Sequence, residues 1–411
     1  MLETHLLSPV TRRRLRKGPA ADHIDAFADW LNLSGYKPIS IRTLLTGLAG
    51  WTDWMCAAGF TAQELLQGFE ACRSAVGKKT RVHYRGGPNR KSLTAARIFI
   101  RFLQDQGKLP RNATTGPRAV WPVLAEFRSW MSAHRGLTDT TLDLYEGIIA
   151  GLLDALGDDV RNYSAETLRN FVAARARPHG ISRANSIVGA VRSFVRYLGI
   201  IGRCAPGMEH AIPVFASWQL SSVPRFLSGD EVERVISSCN GYAFELRDRA
   251  VILLLARLGL RASEVAHLRF TDIDWRNGTI TVSGKGRRQE SLPLPQEVGS
   301  AILLYVKKGR PVLQVPEVFT TVLAPFHAVT RAVVTHIVRG ALSRAGIKAP
   351  INGAHVLRHS AATSMLRQGV SLAGVGAVLR HRAPETTAHY AKVDFILLAE
   401  IAQPWPEVSS C

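Results

Sequence analysis

At 411 residues, with 46% hydrophobic and 20% charged side chains, the chain can bury cores for about two or three domains, which excludes disordered and fibrous classes. Its 52 Lys and Arg against 32 Asp and Glu leave a net charge of +20, an excess that favours a polyanionic partner, most simply nucleic acid, over a merely basic soluble protein. The longest apolar run, near Ala250 to Leu260, is broken by Arg257 and falls far short of the roughly 20 residues of a membrane span.

No amphipathic basic helix or lipidation motif is found either, so no membrane partner is expected. The N-terminus, MLETHLLSPVTRRRLRKGP, lacks the apolar stretch and cleavage site of a signal peptide. The five cysteines are scattered, with no CxxC pair, which reads as a reduced, metal-free cytoplasmic protein.

In chain order, residues 1–20 read as a basic flexible tail whose TRRRLRK run can add phosphate contacts. Residues 21–112 read as a helical domain. DHIDAFADWLNLSGY and IRTLLTGLAGWTDWMCAAG carry apolar residues at i, i+3, i+4 and i+7, and Gly107 and Pro110 stop the last helix. Between them VGKKTRVHYRGGPNRKSLTAAR is basic and glycine-rich, a plain loop or a DNA-contacting one. Residues 118–203 repeat the plan: FADWLNLSGYKPISIRTL aligns with FRSWMSAHRGLTDTTLDL, and IFIRFLQDQG with SFVRYLGIIG, a degenerate tandem of two helical domains. Trp51, Trp54, Trp121 and Trp130 fall at helical spacing in apolar surroundings, as core residues do.

Turn formers and the loss of any period make residues 204–222 a linker. A last domain spans 223–398. FLSGDEVERVISSC starts a helix capped by Ser228 or Asp230, and ELRDRAVILLLARLG reads as a central buried helix broken at Gly259. GTITVSG and ESLPLP alternate with period two around GKGRR, a β-hairpin with a basic turn, and the rest is helical. A tail, 399–411, follows; the terminal segment FILLAEIAQPWP, which runs into it from residue 395, is apolar enough to dock on another surface. The fold class is thus mainly α with a small antiparallel sheet, helical domains preceding a last α+β domain.

The chemistry gathers in GAHVLRHSAATSML and VLRHRAPETTAHYAKVD. His355, Arg358 and His359 stand at i, i+3 and i+4, one helix face. Cutting a phosphodiester without a metal needs a nucleophile, cations for the developing charge, and an acid for the leaving alkoxide. Tyr390 can be the nucleophile and form a phosphotyrosine, while Arg261 and Arg358 offer planar forks to the non-bridging oxygens. His355 and His381 titrate near neutrality, and Lys285 on the hairpin turn can reach the leaving oxygen.

These residues give the chain its resemblance to the tyrosine recombinases of the phage integrase class. GLRASEVAHLRFTDIDW resembles that family's first arginine box, GKGRRQESLPLP its hairpin box, HVLRHSAATSML its His-x-x-Arg box, and VLRHRAPETTAHY its last box. The resemblance implies Arg261, Lys285, His355, Arg358, His381 and Tyr390 as catalytic, Glu264 as a supporting neighbour, and His359 as scaffold. One departure is that the family usually shows glycine where this chain has Arg380, which bears on the geometry of the helix end. Arg287, Arg288, Arg380, Arg382 and Lys392 are expected to neutralise DNA phosphates.

The resemblance further implies helical DNA-binding domains, a core-binding one at 118–203 and an arm-like or accessory one at 21–112, followed by an α+β tyrosine-recombinase catalytic domain at 223–398. It implies double-stranded DNA as substrate, a homo-tetramer on two DNA sites, and no metal or other cofactor. Accessory recombinases or DNA-bending proteins are compatible with it, as is a bacterial nucleoid location when bound to DNA. The expected activity is site-specific cleavage and rejoining of DNA through a covalent 3′-phosphotyrosine, serving integration, excision or transposition of a mobile element. The alternatives are a catalytically silent DNA-binding protein on the same fold, or a relaxing type IB topoisomerase.

Overall fold

The computed structural model describes residues 8–77, 89–110, 121–216, 224–283, 289–351, 353–381, 383–393 and 398. They form two compact units, one of Met1–Asn112 with Ser222–Cys411 and one of Ala113–Ser221.

The first helical module runs α1 (Pro9–Lys17), α2 (Ile24–Leu33), α3 (Pro38–Ala57), α4 (Leu65–Gly77) and α5 (Arg90–Asp105). Part of the expected tail is therefore ordered helix. Ser8 accepts the Thr11 N–H, Pro9 occupies the first turn, where a missing donor is harmless, and Leu15 is wholly buried. The charge run is helical because this one leucine anchors it to the core.

The second module runs α6 (Pro122–Arg135), α7 (Asp139–Leu156), α8 (Ala165–Ala176) and α9 (Ile181–Ile200). Its core also takes in Ile212, so the first half of the expected linker packs on this module. Arg192 donates to the Ile212 carbonyl at 2.5 Å, and Arg196 pairs with Glu209 at 3.4 Å, which fixes that segment to α9.

The rings of the two modules match pair by pair. Phe27 meets Phe99 edge-on at 5.1 Å and 82°, and Phe127 meets Phe194 at 5.2 Å and 80°. Phe27 and Phe102 lie 5.4 Å apart at 49°, Phe127 and Tyr197 5.6 Å apart at 49°. Trp30 stands 5.5 Å from Phe102, as Trp130 does from Tyr197. Edge-to-face packing of this kind is worth about 0.5–1.5 kcal/mol per pair beyond the area buried, so both helical scaffolds rest on one aromatic device.

Residues 224–393 run α10 (Gly229–Ser237), α11 (Ala243–Arg257), α12 (Ala262–Ala266), β1 (Ile273–Asp274), β2 (Thr279–Ser283), β3 (Gln289–Pro293), α13 (Gln296–Lys308), α14 (Arg331–Arg344), α15 (His355–Arg367), α16 (Leu372–Val378) and α17 (Pro384–Ala388). Ser228 caps α10 in a box with Glu231, which satisfies two backbone donors at once. Val251 to Leu255 of α11 are fully buried, as its all-round apolar sequence requires. The sheet is antiparallel, ordered β1-β2-β3, with Ile280 opposite both Ile273 and Leu292. Its β2–β3 connection contains Lys285, Arg287 and Arg288, which lie outside the described residues, as do Arg382 and all but Leu398 of the terminal apolar segment.

The first module touches the 224–393 segment within their shared unit. The Phe326 N–H donates to the Ser34 carbonyl at 3.2 Å, and the Phe326 ring covers Gly35, where a Cβ would fall 2.4 Å from the ring. Gly35 also has φ +81°, so glycine is required there twice over.

Candidate active site

Helix α11 ends in a turn at Gly259, whose φ of +58° and whose approach to Leu379 both exclude a side chain. The turn sets Arg261 at the start of α12. There its backbone N–H and its Nη1 donate to the two oxygens of the Glu264 carboxylate, at 2.8 and 2.6 Å. One face of α15 supplies His355, Arg358 and His359, the turn after α16 supplies Arg380 and His381, and the 3₁₀ turn His389–Val393 supplies Tyr390.

Arg358 ties these pieces together. It is buried, and its two terminal nitrogens donate to the carbonyls of Gly259 and Leu379, joining the end of α11 to the end of α16. Each of those nitrogens keeps a second hydrogen for a ligand. Burial, then Arg261 and Arg380, bring its pKa down to about 10, which leaves it cationic at neutral pH.

Arg380 is placed otherwise than expected. Instead of facing solvent and phosphate, its side chain is 1% exposed and its Nη2 donates to Glu264 Oε2 at 2.8 Å. Its φ of +57° makes it the only non-glycine residue with positive φ among those described, at the position where the family resemblance calls for glycine. A left-handed conformation costs a side chain roughly 1–2 kcal/mol. The compensation lies in Glu264, whose buried carboxylate joins Arg380 and Arg261, while Arg261 Nη2 also donates to the Arg380 carbonyl at 3.2 Å. A burial signal of this kind is not visible in a sequence full of surface arginines.

Tyr390 is 3% exposed, and its hydroxyl lies 2.7 Å from His359 Nδ1. His381 stacks on the tyrosine ring at 6.3 Å and 7°, and its own Nδ1 is held 2.8 Å from Thr387 Oγ1. His359, expected as scaffold, is therefore the histidine in contact with the phenol. The signal for it was its position one turn after His355. Lys392, on the same 3₁₀ turn, is half-buried.

Burial raises the Tyr390 pKa, partly countered by Arg358. Desolvation, followed by His355, His389 and Arg358, lowers His359 to about 4. Desolvation, followed by Arg358, Arg261, Arg380 and His359, lowers His381 to about 4. His355, the more exposed, is lowered by desolvation and then by Arg358, Arg331 and Arg261. The imidazoles are thus neutral at pH 7, beside fixed guanidinium charge. An anion entering this site would meet cations that stay charged and histidines whose depressed pKa values it would raise.

Among the described residues, no group of three or more His, Cys, Asp or Glu is placed to hold a metal ion, and no helix is long and apolar enough to cross a membrane.

Residues 225–396 match the model of the phage integrase family. A putative integrase/recombinase of Sinorhizobium fredii, y4rA, is 35% identical over 95% of this chain and 95% of its own length. Tyrosine recombinase XerD of Listeria innocua is 28% identical over 68% of this chain and 96% of its own. Among solved structures, the XerH site-specific recombinase bound to its palindromic difH substrate superposes with a TM-score of 0.54 at 18% identity, covering 82% of this chain and 94% of that one. A lambda integrase tetramer bound to a Holliday junction does so with a TM-score of 0.53 at 14% identity, covering 78% and 90%.

Proposed function

Since the chain belongs to the phage integrase family of tyrosine recombinases, we propose that it cuts and rejoins duplex DNA at specific sites with Tyr390 as its nucleophile, in the service of a mobile element. The observation that carries this reading is the convergence of Tyr390, His381, His355, Arg358 and Arg261 from four separate elements onto one site.

The Tyr390 oxygen attacks the scissile phosphorus, the bond to the 5′ oxygen breaks, and a 3′-phosphotyrosine retains the bond energy for rejoining. Arg261 and Arg358 take the non-bridging oxygens, and His355 and His381 donate hydrogen bonds to the same phosphate. Lys285, assigned from its place in the sequence, protonates the leaving 5′ oxygen. No cofactor enters. Glu264 keeps Arg261 in place through the carboxylate it shares with Arg380. Arg287, Arg288, Arg382 and Lys392 neutralise backbone phosphates, and residues 118–203 form the core-binding module, with 21–112 an accessory one.

The likeness to a lambda integrase tetramer on a Holliday junction supports a homo-tetramer acting on two DNA sites. The test is an exchange assay on DNA carrying two copies of the cognate site, recovered by selection from genomic fragments. Recombinant products that require both sites are expected. Relaxation of a one-site plasmid without any exchange would contradict the recombinase reading and favour a relaxing topoisomerase.

A further inference from the structure

We propose that His359 is the proton acceptor for the Tyr390 nucleophile, a role distinct from those assigned above to His355 and His381. The proposal rests on the reading of Tyr390 as nucleophile and goes one atom further. His359 Nδ1 lies 2.7 Å from the Tyr390 hydroxyl. The other two candidate imidazoles are oriented differently. The His381 ring lies parallel to the tyrosine ring, with its Nδ1 engaged by Thr387, and the His355 ring, 6.0 Å centre to centre from that of His359, makes no hydrogen bond to the phenol among the described residues. His389 meets the Tyr390 ring edge-on at 6.0 Å, and no hydrogen bond links the two among the described residues.

Among the described residues, the groups facing His359 are His355, one turn earlier on α15; Arg358, beside it; His389 and Tyr390 from the 3₁₀ turn; and His381 from the turn after α16. None is a carboxylate. An imidazole surrounded by cations and other imidazoles stays unprotonated at neutral pH, so an acceptor lone pair is available before DNA arrives. Buried phenol and depressed imidazole are mismatched in the free protein, so the proton does not move in the resting state. It moves as attack proceeds: the phenolic oxygen becomes acidic as it bonds to phosphorus, and the phosphate's negative charge, once bound, makes His359 more basic.

Atoms and charges balance. The Tyr390 oxygen bonds to phosphorus, its proton passes to His359 Nδ1, and the electrons of the broken P–O bond leave on the 5′ oxygen, which the separate acid protonates. In rejoining, the 5′ hydroxyl gives its proton back to that separate acid as it attacks the phosphotyrosine, and His359 returns its proton to the departing phenolate.

The experiment follows single-turnover cleavage of a nicked suicide duplex, with either an ordinary or a 5′-bridging sulfur leaving group, as a function of pH. Wild type, His359→Gln, Lys285→Ala and Tyr390→Phe are compared at saturating protein. General base catalysis contributes about 10²–10⁴-fold, so His359→Gln is expected to cleave about a hundredfold or more slowly with either leaving group. Its rate should climb with pH where the wild-type rate is flat, with DNA affinity and melting temperature retained. Sulfur needs no acid, so it should rescue Lys285→Ala and not His359→Gln. Rescue of His359→Gln by sulfur, or a wild-type rate and pH profile in that variant, would overturn the proposal. An adduct persisting in Tyr390→Phe would instead overturn the parent reading.

Discussion

The two helical modules bury rings, and the catalytic site buries charges. In the modules, Phe27, Phe99 and Phe102 pack in the same geometry as Phe127, Phe194 and Tyr197, and almost nothing in that packing depends on protonation. In the site, Glu264 serves two guanidiniums, Arg358 holds two carbonyls, and three histidines crowd one tyrosine. Non-directional packing tolerates sequence drift as long as volume and pattern survive, which is why two cores can share one ring geometry under weak sequence similarity. Buried charge tolerates no such drift, because each group removed leaves a partner unpaired.

The largest expected effect is in the rings. Phe99→Ala and Phe194→Ala should each destabilise their own module by about 3–5 kcal/mol, as read by hydrogen exchange of each module in the full chain. Near-equal losses would sharpen the correspondence, and a loss in one module only would break it.

Next comes the pH dependence of the charged site. Folding lowers the pKa of His359 and His381 to about 4 and lowers that of His355, so in the window set by the first two, between about 4 and the ordinary histidine value near 6.5, the unfolded chain binds more protons than the folded one. The histidine contribution to stability around this site should therefore be complete above about pH 6.5 and fall as pH drops toward 4. A melting series is expected to show this slope, reduced in His359→Gln; a slope unchanged by that substitution would detach the histidine cluster from the acid sensitivity.

The smallest effect is at Arg380. Both Arg380→Ala and Arg380→Gly lose the pair with Glu264, but only glycine escapes the left-handed strain, so the glycine variant should be the more stable by about 1 kcal/mol. Equal stabilities would mean that φ carries no strain there.

The same contrast separates what sequence made legible from what it did not. Periodicity and helix caps placed the ring-bearing helices and the strand pair around residues 284–288, because those signals are local. The clustering of Arg261 with Arg358 and Tyr390 could be expected from the family resemblance of their boxes, each a short contiguous motif. The roles of Arg380 and His359 were not legible. Whether an arginine in VLRHRAP faces solvent or Glu264 is decided by a contact across 116 positions of chain, and which histidine meets Tyr390 by the turn at His389–Val393. The helix at Pro9–Lys17 was missed for a similar reason, since its charge run hides the single buried Leu15.

The central claim is that this site forms a covalent bond to DNA through one oxygen atom. A nicked duplex that loses the short downstream strand after cleavage traps that bond. Incubated with such a duplex carrying the cognate site, the wild-type protein should become covalently attached to the DNA 3′ end. Tyr390→Phe should bind the same duplex with unchanged affinity and form no adduct. An adduct of undiminished yield in Tyr390→Phe, or one mapped to any other residue, would contradict the account.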